Sequence, residues 1–174
     1  ETLTGELSTT RKVRLHARIA GVLEDLYGDA AEAHATELAH HFAEAEAVLG
    51  NENLVKYSFL AGERALETYA WEEALSHFQR ALLAKEGEPL DDRTAASLFG
   101  LARAQSAILV RSQVGEVVAS LDRVFDYYAS MGDVARAVAV AEHPFYPPVG
   151  HGHDAAQLVD KALGLVSPNS LAAG

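Results

Sequence analysis

The sequence predicts an all-α domain built from about four antiparallel helical hairpins. Three observations carry this. Of the 174 residues, 32 are alanine and 22 leucine, so nearly a third of the chain is one of the two best apolar helix formers. Apolar residues recur at three- and four-residue steps between glycine and proline punctuation. The β-branched runs, such as Val117–Val118, sit inside those helical periods rather than alternating as a strand would.

The elements follow in order. In the first helix Leu15, Ile19, Val22, Leu23 and Leu26 mark an apolar face, with Ser8, Thr9 or Thr10 as N-cap. Gly28 suits the left-handed stop, and Asp29 is placed to cap the second helix. That helix is expected to carry Ala35, Leu38, Phe42, Ala45 and Leu49 on its packing side and to end at Gly50 and Asn51. The third runs from about Asn53 to Tyr69 with Tyr57, Ala61 and Ala65 inward. The fourth starts near Trp71, carries Ala74, Leu75, Phe78, Ala81 and Leu82, and stops at Gly87 and Pro89. Tyr69 and Trp71, at the bend between them, read as core.

Asp91 or Asp92 caps the fifth helix, which holds Leu98, Leu101, Ala102, Ile108 and Leu109. The sixth presents Val117, Leu121, Val124, Phe125 and Tyr128. Gly132 and Asp133 repeat the stop-and-start device of Gly28 and Asp29. Pro144 cuts the seventh short. A loop with Pro147, Pro148, Gly150 and Gly152 leads to the eighth, from about Asp154 to before Pro168; residues 169–174 read as a frayed tail.

Composition limits function. The 49% hydrophobic content is that of a folded chain, and 174 residues suffice for one domain, so residues 1–174 are read as a single helical-repeat unit. The formal charge is −11 and the chain as a whole lacks the basic footprint that neutralises phosphates, so direct nucleic-acid binding is not expected. No stretch approaches 18 apolar residues, so no membrane partner is expected. The absence of cysteine removes disulfides, thiolate nucleophiles and cysteine–zinc sites, and points to a cytoplasmic protein. The opening Glu1 suggests a section of a longer chain.

A repeat emerges when the second helix of each pair is aligned. Leu38-Phe42-Ala45, Ala74-Phe78-Ala81, Val117-Leu121-Val124 and Ala155-Val159-Ala162 follow one another at steps of 36, 43 and 38 residues. Such periods mark helical hairpins that bury their apolar faces against neighbours.

Here the chain resembles a tetratricopeptide repeat, best over residues 55–88. Gly62 stands at the small position of the first helix, and Ala74, Phe78 and Ala81 at the signature positions of the second. Ser58 replaces the usual early aromatic, and the closing proline comes late, at Pro89. The resemblance implies a right-handed superhelix that binds along the first helices of its hairpins. That surface would include Lys56, Phe59, Glu63, Glu67, Phe99 and Arg103. Phe59 and Phe99 lie outside the aligned packing positions and are candidate apolar anchors; the alternative is burial by adjacent hairpins.

A second resemblance covers residues 1 to about 130. The strings ETLTGELSTTRKVRLHARIAGVLEDLYG, HATELAHHFAEAE and AGERALETYAWEEALSHFQRAL are similar to a segment of large bacterial signalling ATPases, namely LuxR-type transcriptional regulators and nucleotide-cyclase fusions. There, helical repeats follow a nucleotide-binding domain and a winged helix, so residues 1–8 would be the tail of the winged-helix region. The resemblance implies a non-catalytic interaction or sensor module. Its partner would be a protein or peptide, or neighbouring domains of the parent chain, and it would need no cofactor. Small-molecule sensing in an enclosed pocket between hairpins, and self-association, are the alternatives.

Arg11, Arg14 and Arg18 line one face of the first helix, as a solvated face or as a docking face for a neighbouring domain. His40 and His41 are adjacent and point about 100° apart on a helix, while His34 and His40 miss the four-residue step, so the eight histidines suggest no metal site. His151-Gly-His153-Asp154 is read as adventitious, and a hydrolase using the 143–154 loop is a remote rival. Gly150-x-Gly152-x-x-Ala155 lacks the strand and βαβ unit of a dinucleotide loop, and there is no P-loop.

Overall fold

The computed structural model describes residues 9–108, 114–144 and 152–166. Among them there is no strand. The helices are α1 (Thr9–Tyr27), a 3-10 turn (Gly28–His34), α2 (Ala35–Glu44), α3 (Glu46–Leu49), α4 (Glu52–Glu67) and α5 (Trp71–Leu83), then α6 (Asp92–Ala107), α7 (Val114–Ser130), α8 (Val134–Ala141) and α9 (Gly152–Leu165). No helix is long and apolar enough to cross a membrane. The stronger packing pairs join helices that are neighbours or next-but-one in the chain.

The expected punctuation works as local physics requires. Gly28, Gly50, Gly87 and Gly132 all take positive φ after helix ends. The Asp91 carboxylate accepts from the Thr94 N–H at 2.7 Å and caps α6, while Asp133 accepts from the Arg136 N–H at 3.0 Å and caps α8.

The second expected helix is divided. Asp29 caps nothing; residues 28–34 wind as a 3-10 turn without a side-chain cap, and the chain breaks again at buried Ala45. The break swings α3 against α1 and leaves Leu49, expected on the packing face, 43% exposed.

The face of α1 also differs from its expected one. Leu15, Val22 and Leu26 are 45, 64 and 72% exposed, and Ala20 is the residue that α1 buries. The inward line is His16, Ala20, Leu23 and Tyr27. Ala20 shares its cluster with Ala31, Ala35 and Ala39, so small side chains meet at this contact, and Leu23 and Tyr27 pack beside it. Tyr57 anchors the same cluster from α4. Its hydroxyl donates to Glu24 of α1 at 2.5 Å, and burial, then that carboxylate, push its pKa up.

The three-residue signature holds in three of its four places. Leu38, Phe42, Ala45, Ala74, Phe78, Ala81, Val117, Leu121 and Val124 are all buried. In α9 the register is one residue off: Leu158 is buried with Ala162, whereas Val159 is 46% exposed. Ala155 lies outside the described side chains. Ile108, expected inward on the fifth helix, is exposed at the end of α6.

Phe78 is the wedge of the central layers. Its ring is wholly buried and lies between two glycines, Gly62 of α4 and Gly100 of α6. A β-carbon added at Gly62 would come within 2.7 Å of that ring, and one at Gly100 closer still. The two glycines let α4 and α6 close on one aromatic ring.

This gives a paired prediction. Gly100→Ala should lower stability, because overpacking a ring with nowhere to move costs about 1–3 kcal/mol and works against a helix-propensity gain of about 1 kcal/mol. Gly21→Ala, in α1 with nothing within 4 Å of the added carbon, should raise stability by about 0.5–1 kcal/mol. Urea melts of the two variants check the opposite signs.

Candidate functional site

The closure of α4 on α6 sets two similar helix faces side by side. Each presents a phenylalanine and, four residues on, a charged group: Phe59 and Glu63 on α4, Phe99 and Arg103 on α6. These four side chains line one open groove of about 390 Å³. Tyr128 of α7 and Arg136 of α8 extend it, with Asp92 and Arg93 at the start of α6.

The groove is ordered by charge pairs and ring contacts. Arg103 Nη1 lies 3.0 Å from both oxygens of Glu63, which ties α4 to α6. The same guanidinium sits 5.7 Å from the Phe99 ring centre. Arg136 stands 4.4 Å over the Tyr128 ring and pairs with Asp92 and Asp133, linking α8 to the start of α6. Such exposed pairs contribute little stability; their effect here is to fix side-chain directions. Phe59 and Phe99 are both half-buried. Phe59 packs near Phe78 at 6.2 Å between ring centres, and Phe99 meets His143 edge-on at 5.9 Å.

Of the six surface residues expected from the sequence, the fold brings four together. Lys56 instead reaches back toward the α1 contact, its Nζ 3.4 Å from the Tyr57 hydroxyl, and Glu67 is exposed outside the groove lining. Arg11, Arg14 and Arg18 are all exposed on α1, and no hydrogen bond or ion pair joins them to other described residues. Lys12 beside them pairs with Glu44 at 2.5 Å.

A second groove, of about 420 Å³, meets the first at Arg103 and is lined by Leu66, Tyr69, Trp71, Ser106 and His143. Tyr69 is a correction to the sequence reading: it is 74% exposed rather than core, and Trp71 is half-buried. Tyr69 takes φ 59°, the one positive φ outside glycine among the described residues. It occupies the left-handed position of a Schellman stop, with Tyr69 N–H bonded to Leu66 O and Ala70 N–H to Ala65 O. The signal was present in sequence: the α4–α5 turn is a helix stop without glycine, so another residue had to take the strained position.

Sequence spacing argued against paired histidine ligands, but tertiary packing adds a third ring. His16 of α1 lies against His40 and His41 of α2, and one ligand atom from each falls within 4.8 Å of the others. Most of the 143–154 loop lies outside the described residues, including His151, and the side chains of His153 and Asp154 do too.

With this geometry in hand, no family model, curated protein or solved structure matches the chain.

His143 and His77 give the fold a pH dependence. Burial lowers both pKa values, aided by Arg103 at His143 and by Arg80 at His77, where Glu73 opposes. His77 Nδ1 and His143 Nε2 are buried without partners. Below the unfolded value, about 6.5, the unfolded chain takes protons that the folded chain resists, so stability is full above that pH and falls as pH drops toward the lower folded values. Urea midpoints should therefore fall between pH 7.5 and 5.5, and His77→Gln with His143→Gln should flatten the slope.

Proposed function

We propose that the chain is a tetratricopeptide-like, non-catalytic interaction module. It holds a protein or peptide segment across the groove between α4 and α6. The observation that carries this is the convergence of Phe59, Glu63, Phe99 and Arg103 on one open groove. Half-buried aromatics beside oriented charges are the usual composition of interface hot spots. The neighbour-to-neighbour packing supports reading the stack as a solenoid of hairpins.

The resemblance of residues 1 to about 130 supports placing the module in a multidomain bacterial signalling or transcriptional regulator of the LuxR type. In that setting the exposed Arg11, Arg14 and Arg18 face is the docking surface toward a neighbouring domain. A small-molecule sensor would call for an enclosed pocket, whereas this groove is open to solvent.

Self-association is the second reading, favoured by one feature. Near α9, Val159 and Leu163 are 46 and 49% exposed beside an apolar cleft of about 160 Å³ that Val138 and Val166 help line. A concentration-independent monomer in sedimentation would remove it.

Peptides selected on the protein from a random display library test the groove. Phe99→Ala and Phe59→Ala should each weaken selected peptides by more than about 10-fold, as truncating a hot-spot side chain does. Arg18→Ala should leave them unchanged. Selected peptides that ignore both phenylalanines would overturn the assignment.

Tyr69 supplies a separate check. Tyr69→Gly should raise stability by about 1 kcal/mol, since glycine carries no penalty in the left-handed region. If the strained tyrosine serves binding, peptides that reach the second groove should lose affinity in the same variant.

A further inference from the structure

Helices α1 and α2 run antiparallel, and polar contacts mark the register. Lys12 pairs with Glu44 at 2.5 Å, His16 Nδ1 lies 3.0 Å from His41 Nδ1, and the Tyr27 hydroxyl donates to Glu37 at 2.7 Å. His40 completes a cluster at the middle rung. Its ring centre is 5.6 Å from that of His16 and 5.2 Å from that of His41. The three rings come from two helices, so the cluster exists only when α1 is docked.

We propose that His16, His40 and His41 form a binding site for a divalent transition-metal cation of the zinc class, clasping α1 to α2.

Three observations support this. First, the ligand atoms lie within 4.8 Å of one another. Two nitrogens on a tetrahedral zinc sit about 3.3 Å apart, given zinc–nitrogen bonds of about 2.0–2.1 Å. The His16–His41 separation already matches, and a small ring rotation of exposed His40 brings in the third. Second, the chemistry of the set fits. Three neutral imidazoles suit zinc, copper, nickel and cobalt, and leave a fourth position for water on the solvent side. Third, two carboxylates flank the histidine pair on α2. Glu37 and Glu44 stand one helical turn before and after the histidine pair, each held by another side chain, Tyr27 and Lys12.

The clasp has a mechanical reason. Helix α1 buries Ala20 and leaves Leu15, Val22 and Leu26 outside, so its apolar hold on the stack is slight. A metal spanning both helices would fix the helix that carries Arg11, Arg14 and Arg18. The site is separate from the α4–α6 groove and does not depend on the groove's function.

Titration of the full chain with zinc ions alone tests it, with cobalt ions alone as the spectroscopic probe. The expected results are one equivalent of zinc bound, a melting temperature that rises with zinc concentration, and the visible absorption of four-coordinate cobalt. His40→Ala and His16→Gln, checked for helical content, should each weaken zinc binding by more than about 10-fold, the least that even an outer-shell partner costs. His151→Ala with His153→Ala, which removes the other closely spaced histidine pair, should change nothing. Failure of the wild-type chain to bind an equivalent of zinc would overturn the proposal. So would binding that survives both His40→Ala and His16→Gln, or that is lost in the His151/His153 double variant.

Discussion

Everything central to this molecule depends on one ring held between two absent side chains. Phe78 fills the space that Gly62 and Gly100 leave open, and through it α4 and α6 come together on the same side of α5. The groove follows from that approach. Phe59 stands three residues before Gly62, and Phe99 immediately before Gly100, so the close contact below brings the two phenylalanines into one lining above. Interiors pack at crystal-like density, and a single extra methyl group at either glycine would separate the helices that make the surface. Stability and binding surface are thus set by the same contact.

Much of this was legible in the sequence because the relevant signals are local. Helix stops at Gly28, Gly87 and Gly132, caps at Asp91 and Asp133, and the Ala74-Phe78-Ala81 motif depend on residues close in the chain. The pairing of Phe59 and Glu63 with Phe99 and Arg103 was reachable through the repeat resemblance, which places equivalent helices side by side. What failed was rotation about helix axes at the two ends. On α1 the large apolar residues suggested one face, but small-on-small contact at Ala20 won and turned Leu15 and Val22 outward. On α9 the alignment chose Val159 where Leu158 is inward. Among the described residues these two helices have fewer helix partners, so fewer contacts constrain which face turns in. The histidine cluster was hidden for a different reason: it requires His16 to meet residues 24 and 25 positions away, which no spacing rule within one helix reports.

The charge of the chain also looks different in three dimensions. A net −11 describes a whole that repels anions, yet the main groove gathers Arg93, Arg103 and Arg136 against Glu63 and Asp92. Locally the balance is near neutral and slightly basic. Aromatic faces beside fixed guanidinium groups offer shape and direction more than bulk attraction, which suits selective recognition at physiological salt, where the field of exposed charges decays within about 8 Å.

The neighbour-only packing order has one further consequence. In such a stack, free energy is shared along a line, and each layer is only as secure as the layers on either side. Among the described residues, helices α4, α5 and α6 have partners before and behind, whereas α1 packs on later helices alone and α9 on earlier ones alone. Amide exchange would then rise from the middle outward, with the slowest protons around Phe78. A partner seated in the middle would grip the stiffest part of the molecule, while a ligand at the α1 edge would act where opening is easiest. Two sites on one chain would sample different parts of the same stability gradient.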